Sequence, residues 1–178
     1  MLNTQQNTAI KDRIQAQPRT QVSMESQQPQ STAKLPAPEL IVDEDFAERL
    51  EGFIKGELTW AEVEGWTVDQ LYYYAQMGVD LMQCGRLDDA EQIFDACYAI
   101  NPKDWYFSYC LGHISLMKNA TERAVAFLEI SIATAPVRPE PFLILAAAKT
   151  RLGQQADAQK LLARALQVWQ QTQADQPK

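Results

Sequence analysis

The sequence is short of the residues on which several kinds of function depend. It has three cysteines, one histidine and seven glycines in 178 residues. Three cysteines are too few and too odd for a disulfide framework. Cys84, Cys97 and Cys110 lie 13 residues apart, a spacing that matches no zinc or redox motif, so a reducing cytoplasm is the expected compartment. No run of ~18 apolar residues exists, which excludes a transmembrane helix. The first twenty residues lack an apolar stretch of signal-peptide length, so no Sec-type export signal is expected. Positive charge is in deficit, with 16 Lys and Arg against 23 Asp and Glu, a net −7. That balance argues against a nucleic-acid binder, which needs a clustered basic footprint, and does not suit an anionic membrane surface. There is no phosphate-binding loop and no HExxH motif. His113 is the sole histidine, and Cys110 three residues earlier shares its helix face. No glycine-rich turn accompanies the pair, so it reads as packing or groove lining, and neither enzyme activity nor a cofactor or metal is expected.

What is present points to helices. Glycine is sparse, while Ala, Leu, Gln and Glu are plentiful. The charge is unevenly spread. Residues 1–38 carry four bases and two acids, residues 39–69 two bases and ten acids, and residues 70–172 nine bases and ten acids. Residues 1–38 are rich in glutamine, are punctuated by four prolines and have few spaced apolar residues, which predicts a disordered head. Phe46, Leu50, Phe53 and Ile54 then recur on one face of a helix expected over 43–55, with Gly56 as its stop. This stripe needs a partner surface, and either a second copy in a homodimer or the chain's own first repeat would supply it. Thr59–Glu62 and Thr67–Gln70 have capping-box spacing, and Trp66 with Leu71 could form a hydrophobic staple. These residues complete an acidic N-terminal segment, 39–66. The repeat domain is expected over 67–172, followed by a tail at 173–178.

The decisive pattern is a 34-residue period. Residues 71–104, 105–138 and 139–172 align without a gap. Small residues recur at position 8 (Gly78, Gly112, Ala146) and position 20 (Ala90, Ala124, Ala158). Larger ones recur at position 7 (Met77, Leu111, Leu145) and position 24 (Phe94, Leu128, Leu162). Pro102 and Pro136 share position 32, where the third repeat has Gln170. Paired helices of the tetratricopeptide type have this period, because the two helices approach where the small residues meet. The expected fold is therefore all-α, three helix-turn-helix repeats stacked as a short solenoid behind N-terminal helices. Position 15 (Gly85, Asn119, Gly153) falls in the turn within each repeat, and Asn119–Glu122 could be a further capping box. Ser108, Ser115 and Lys149 depart from the pattern by replacing large residues.

In this architecture the first helix of each repeat lines the concave face. The register assigns to it Tyr72, Ala75, Val79 and Met82, then Tyr106, Tyr109, His113 and Leu116, then Leu143 and Ala147. Some of these could instead be core. The first two repeats place no Lys, Arg or Asn among these positions, so they do not form a carboxylate clamp. Tyrosine, methionine and small aliphatics suit an extended peptide with spaced apolar anchors. Burial of ~500 Å² of apolar surface would contribute ~12 kcal/mol before association costs.

Residues 56–172 resemble the tetratricopeptide chaperones of bacterial type III secretion that hold the hydrophobic translocators. The similarity lies in Leu71-Tyr72 after a short helix near Leu58–Glu64, in the turn Gly85-Arg86-Leu87-Asp88-Asp89-Ala90, in Ile93-Phe94 with Cys97, and in Trp105-Tyr106-Phe107 leading to Leu111-Gly112. The resemblance implies an ATP-independent cytoplasmic chaperone whose groove holds an apolar, proline-punctuated segment of a translocator. It also implies homodimerisation through the N-terminal helices, and groove roles for Tyr72 and Tyr106. The 38-residue head is long for that family. A tetratricopeptide adaptor that binds a peptide of a folded partner in another assembly is the alternative reading.

Overall fold

The computed structural model describes residues 45–174. The expected disordered head, residues 39–44 and residues 175–178 lie outside the described residues. Within the described residues there are eight α-helices and no strand. They are α1 (Phe46–Ile54), α2 (Trp60–Val63), α3 (Val68–Gln83), α4 (Leu87–Ile100), α5 (Trp105–Met117), α6 (Thr121–Thr134), α7 (Pro139–Arg151) and α8 (Gln155–Ala174). The last six form three helix pairs that pack in sequence, α3 on α4, α5 on α6 and α7 on α8, with α4–α5 and α6–α7 joining the pairs.

Local chemistry sets the boundaries. Both capping boxes form at the predicted residues, Thr59 with Glu62 and Thr67 with Gln70, each satisfying two otherwise free backbone N–H groups. Trp66 packs edge-on against Tyr74, at 5.8 Å between ring centres, in the same apolar cluster as Leu71. The proposed box at Asn119–Glu122 does not form. Helix α6 starts at Thr121 with Ala120 as an N-cap that makes no side-chain bond. Asn119 instead takes the left-handed conformation, φ 61°, as Gly85 and Gly153 do at φ 75°. One backbone solution thus serves all three intra-repeat turns, and Asn is the non-glycine residue best able to adopt it.

Prolines also explain a length difference. Pro102 and Pro136 follow the ends of α4 and α6, where a missing N–H prevents continuation. Gln170 stands at the third such position, and α8 runs on to Ala174. Gln173 and Ala174, expected in the tail, therefore belong to this helix.

The core lies between the members of each pair and between neighbouring pairs. Phe94, Phe107, Leu111, Ile114 and Leu128 are fully buried. Each such side chain contributes ~1.5–3 kcal/mol relative to exposure. They fit because the opposing positions are small. A Cβ at Gly78 would stand 2.6 Å from the Phe94 ring, and one at Gly112 would stand 2.6 Å from Leu128 Cγ. The polar departures are accommodated individually. Ser108 and Ser131 both donate to the Trp105 carbonyl, at 3.0 and 2.9 Å. Lys149 reaches Glu129 at 3.5 Å. The Ser115 hydroxyl is buried without a partner among the described residues.

Candidate peptide-binding groove

The first helices of the three repeats, α3, α5 and α7, carry the residues predicted to line a groove. An aromatic row crosses from α3 to α5. Tyr72 stacks on Tyr106 with ring centres 5.7 Å apart and planes 13° apart. Tyr106 stacks on Tyr109 at 6.1 Å, and Tyr109 leads to His113 at 6.1 Å. Such spacings lie within the attractive range for aromatic pairs. The row follows from sequence spacing, because Tyr106, Tyr109 and His113 stand at i, i+3 and i+7 of one helix.

The individual placements differ. Tyr72 is 40% exposed and Leu143 48%, and Ala147 is also exposed. Val79, Met82, Tyr106, Tyr109 and His113 are partly buried and keep accessible surface. Ala75 and Leu116 are 1% and 5% exposed, so these two belong to the packed core and offer a ligand no free surface. Ala75 shares its cluster with Tyr106 and Tyr109, while Leu116 shares its cluster with Tyr109, Leu128 and Leu145. Helical position alone identified the side of the helix. The size of the neighbouring side chains determined how much of it stays open.

Two contributors were missed by the positional reading. Asp104 caps α5, accepting from the Tyr106 N–H at 2.9 Å, and the same oxygen accepts from the Tyr72 hydroxyl at 3.4 Å. It thereby fixes the stacked pair from its edge. The signal was available as an acid immediately before an aromatic helix start. Trp105 lies 5.8 Å from Tyr109 and is covered on its face by the Arg138 guanidinium at 5.1 Å. Its register position alone gave no sign of this, because Arg138 is 33 residues distant and is delivered by the α6–α7 turn. A cleft of about 420 Å³ adjoins the row, with Tyr72, Trp105, Leu71, Trp66 and Lys103 among its walls.

Titration behaviour follows burial. Desolvation, reinforced by the charge and hydrogen bond of Asp104, pushes the Tyr72 phenol up to about 12. Desolvation also raises Tyr106 and Tyr109, so all three tyrosines are neutral donors at physiological pH. Burial alone lowers His113, leaving its imidazole uncharged at pH 7. Burial pushes the Cys110 thiol up to about 12, which leaves it protonated and a poor nucleophile despite its closeness in sequence to His113. The row therefore presents neutral aromatic surface with hydroxyl donors at intervals. No group of three or more His, Cys, Asp or Glu among the described residues could hold a metal.

The N-terminal stripe is separate from this row. Phe46 and Leu50 are partly buried, while Phe53 and Ile54 are 39% and 76% exposed. Phe53 meets Trp60 of α2 edge-on at 5.4 Å. Arg49 donates to the Val63 carbonyl at 3.2 Å. Lys103 donates to the Gly56 and Glu57 carbonyls at 2.8 and 2.7 Å, tying the α1–α2 connection to the repeats.

No family model matches the sequence, and no curated protein does. Solved structures do match. The Yersinia enterocolitica type III secretion translocator chaperone SycD is 20% identical, with 67% of this chain and 86% of that chain covered and a TM-score of 0.61. A type III secretion system complex from Aeromonas hydrophila is 19% identical, with 67% and 79% covered and a TM-score of 0.62. PcrH, solved with the chaperone binding region of PopD, is 23% identical, with 64% and 82% covered and a TM-score of 0.56. The described residues thus have the all-α tetratricopeptide fold found in type III secretion translocator chaperones.

Proposed function

We propose that this protein is an ATP-independent chaperone that holds an extended apolar segment of a type III secretion translocator in the groove formed by α3, α5 and α7. In this reading it keeps that client soluble in the bacterial cytoplasm before export, as a binding protein without catalytic activity. The observation that carries the reading is the neutral row of Tyr72, Tyr106, Tyr109 and His113. It offers rigid amphipathic area with little entropy to lose on binding. The fold shared with chaperones of translocators supports the same assignment. No helix among the described residues is long and apolar enough to cross a membrane. In this reading Val79, Met82, Leu143 and Ala147 receive the apolar anchors, and homodimerisation uses the α1 stripe.

The adaptor reading would use the same groove for a peptide of a folded partner, but not as a carboxylate clamp. A clamp for an acidic peptide terminus needs unengaged cations, and α3 and α5 have none. Arg151 of α7 is committed to the Leu116 carbonyl at 2.6 Å and to Asn119.

Co-expression with a translocator encoded beside this gene tests the proposal. A soluble complex is expected, and Tyr72→Ala, at the exposed end of the row, should weaken it while circular dichroism stays unchanged. Failure of every neighbouring translocator to co-purify would defeat the proposal. Recovery of a partner that is stably folded on its own would favour the adaptor.

A further inference from the structure

The first repeat carries a second groove, on a different face from the aromatic row. It lies between α3 and α4, encloses about 580 Å³ and is walled by Trp66, Tyr74, Leu81, Ile93, Cys97 and Ile100. All of these walls except Cys97 are only half-buried, so apolar surface stays open. Trp66 and Ile100 stand at one end. The polar members, Arg86, Asp89 and Gln92, belong to the other end, where α4 begins. Arg86 Nε donates to Asp89 at 2.7 Å, which leaves the terminal guanidinium nitrogens for a further carboxylate.

Helix α1 directs the preceding chain to the Trp66 end. The Leu58 N–H donates to the Gly52 carbonyl, Phe53 meets Trp60, and Arg49 donates to the Val63 carbonyl. Helices α1 and α2 are therefore antiparallel, and the first turn of α1 points to the Val63–Trp66 side. Six residues, 39–44, separate that turn from Pro38 and reach up to ~20 Å when extended. Ile100 and Ile93 are only ~10 Å apart along α4. Leu40-Ile41-Val42 is the only run of three large aliphatic residues in positions 1–44, and Glu39 precedes it.

We propose that residues 39–42 dock in this groove of their own chain and cap the first repeat. In that arrangement Val42 meets Trp66 and Ile100, Leu40 meets Tyr74 and Ile93, and Glu39 pairs with Arg86. Several properties select this occupant over a separate apolar partner. The segment is tethered beside the groove, so it acts at an effective concentration on the order of millimolar. Its order of apolar and acidic residues matches the order of apolar and basic walls. It also brings Asp43 and Glu44 to the end of the stack, and a terminal repeat needs a polar outer face. The α1 stripe cannot fill the groove itself, because Trp60, Val63 and the Lys103 tie hold α1 and its connection in place.

Methyl NOE spectroscopy of the full chain, labelled at Ile, Leu and Val, tests this. Contacts are expected from Leu40 and Val42 to Ile93 and Ile100. Leu40→Asp should remove the Leu40 and Val42 contacts with unchanged helicity, since it lies outside every helix of the repeats. Arg86→Glu should weaken them, and Glu39→Arg added to Arg86→Glu should restore them. Absence of the contacts in the unsubstituted chain would overturn the proposal. So would contacts seen only between labelled and unlabelled copies in a mixed sample, which would assign the groove to a second copy. Contacts of Ile93 with Ile54 instead of Leu40 would assign it to α1 and overturn the proposal equally.

Discussion

Gly112 has Leu128 on one side and the Ala124 carbonyl 3.3 Å from any added Cβ. Leu128 is fully buried and has nowhere to retreat. Gly112→Ala gains ~1 kcal/mol in helix propensity, but overpacking costs ~1–3 kcal/mol. A net loss of about 1 kcal/mol is expected by urea denaturation, and Gly85→Ala should lose roughly 1–2 kcal/mol for a different reason, since exposed Gly85 has room for a Cβ but holds a positive φ. At the same scale, His113 titrates against its surroundings. Its folded pKa lies below its unfolded value because burial penalises the imidazolium. Its contribution to stability is thus complete above about pH 6.5 and declines as pH falls below that value toward the folded pKa. An apolar ligand over His113 deepens the desolvation, so client affinity should fall as pH drops below 6.5 and through the lowered pKa of the free protein's imidazole. His113→Gln should flatten that dependence in a fluorescence titration, and an unchanged slope would remove His113 from the groove.

Among the elements, the junction between the first two repeats depends on one buried acid. Glu91 of α4 accepts from Lys118 at 2.6 Å and also pairs with Arg123 of α6, while Lys118 bridges to Asp88 at 2.5 Å. These cations, led by the Lys118 hydrogen bond, hold the Glu91 carboxyl below its ordinary range. Its stabilisation is therefore present above the unfolded value near 4.5 and is lost as pH falls through the folded pKa. Glu91→Gln should lower the melting temperature at pH 7 by roughly 3 °C. It should lower it less at pH 3.5, below the unfolded value near 4.5, where the unfolded chain is already protonated and part of the charge's contribution is lost. An equal drop at both pH values would show that charge is not what Glu91 contributes. Capping sequences around α2 and α3 were legible beforehand because a capping box is local, needing only residues three apart. The Glu91 network was not, because its partners lie 27 and 32 residues away.

At the scale of the whole molecule, the α1 stripe leaves apolar surface open among the described residues. Ile54 on α1 is 76% exposed. If α1 forms the homodimer interface, Ile54→Asp should shift the dilute-solution mass to that of a monomer without altering helicity. A mass unchanged by Ile54→Asp would remove the α1 stripe from that role.

The 34-residue period was readable without coordinates because close helix approach demands small residues at fixed positions, and that demand leaves a repeating imprint on composition. The helical character, the number of repeats and the faces of α3 and α5 that carry tyrosines all follow from it. Only the tertiary structure decided how much of each face remains open. Ala75 and Leu116 are enclosed by neighbours from other helices, while Tyr72 remains exposed against Tyr106. It also brought Asp104 and Arg138 to the edges of the aromatic row and left Trp169 uncovered. The physical reason is that periodicity constrains the direction in which a side chain leaves its own helix, whereas burial depends on what the next helix places opposite it.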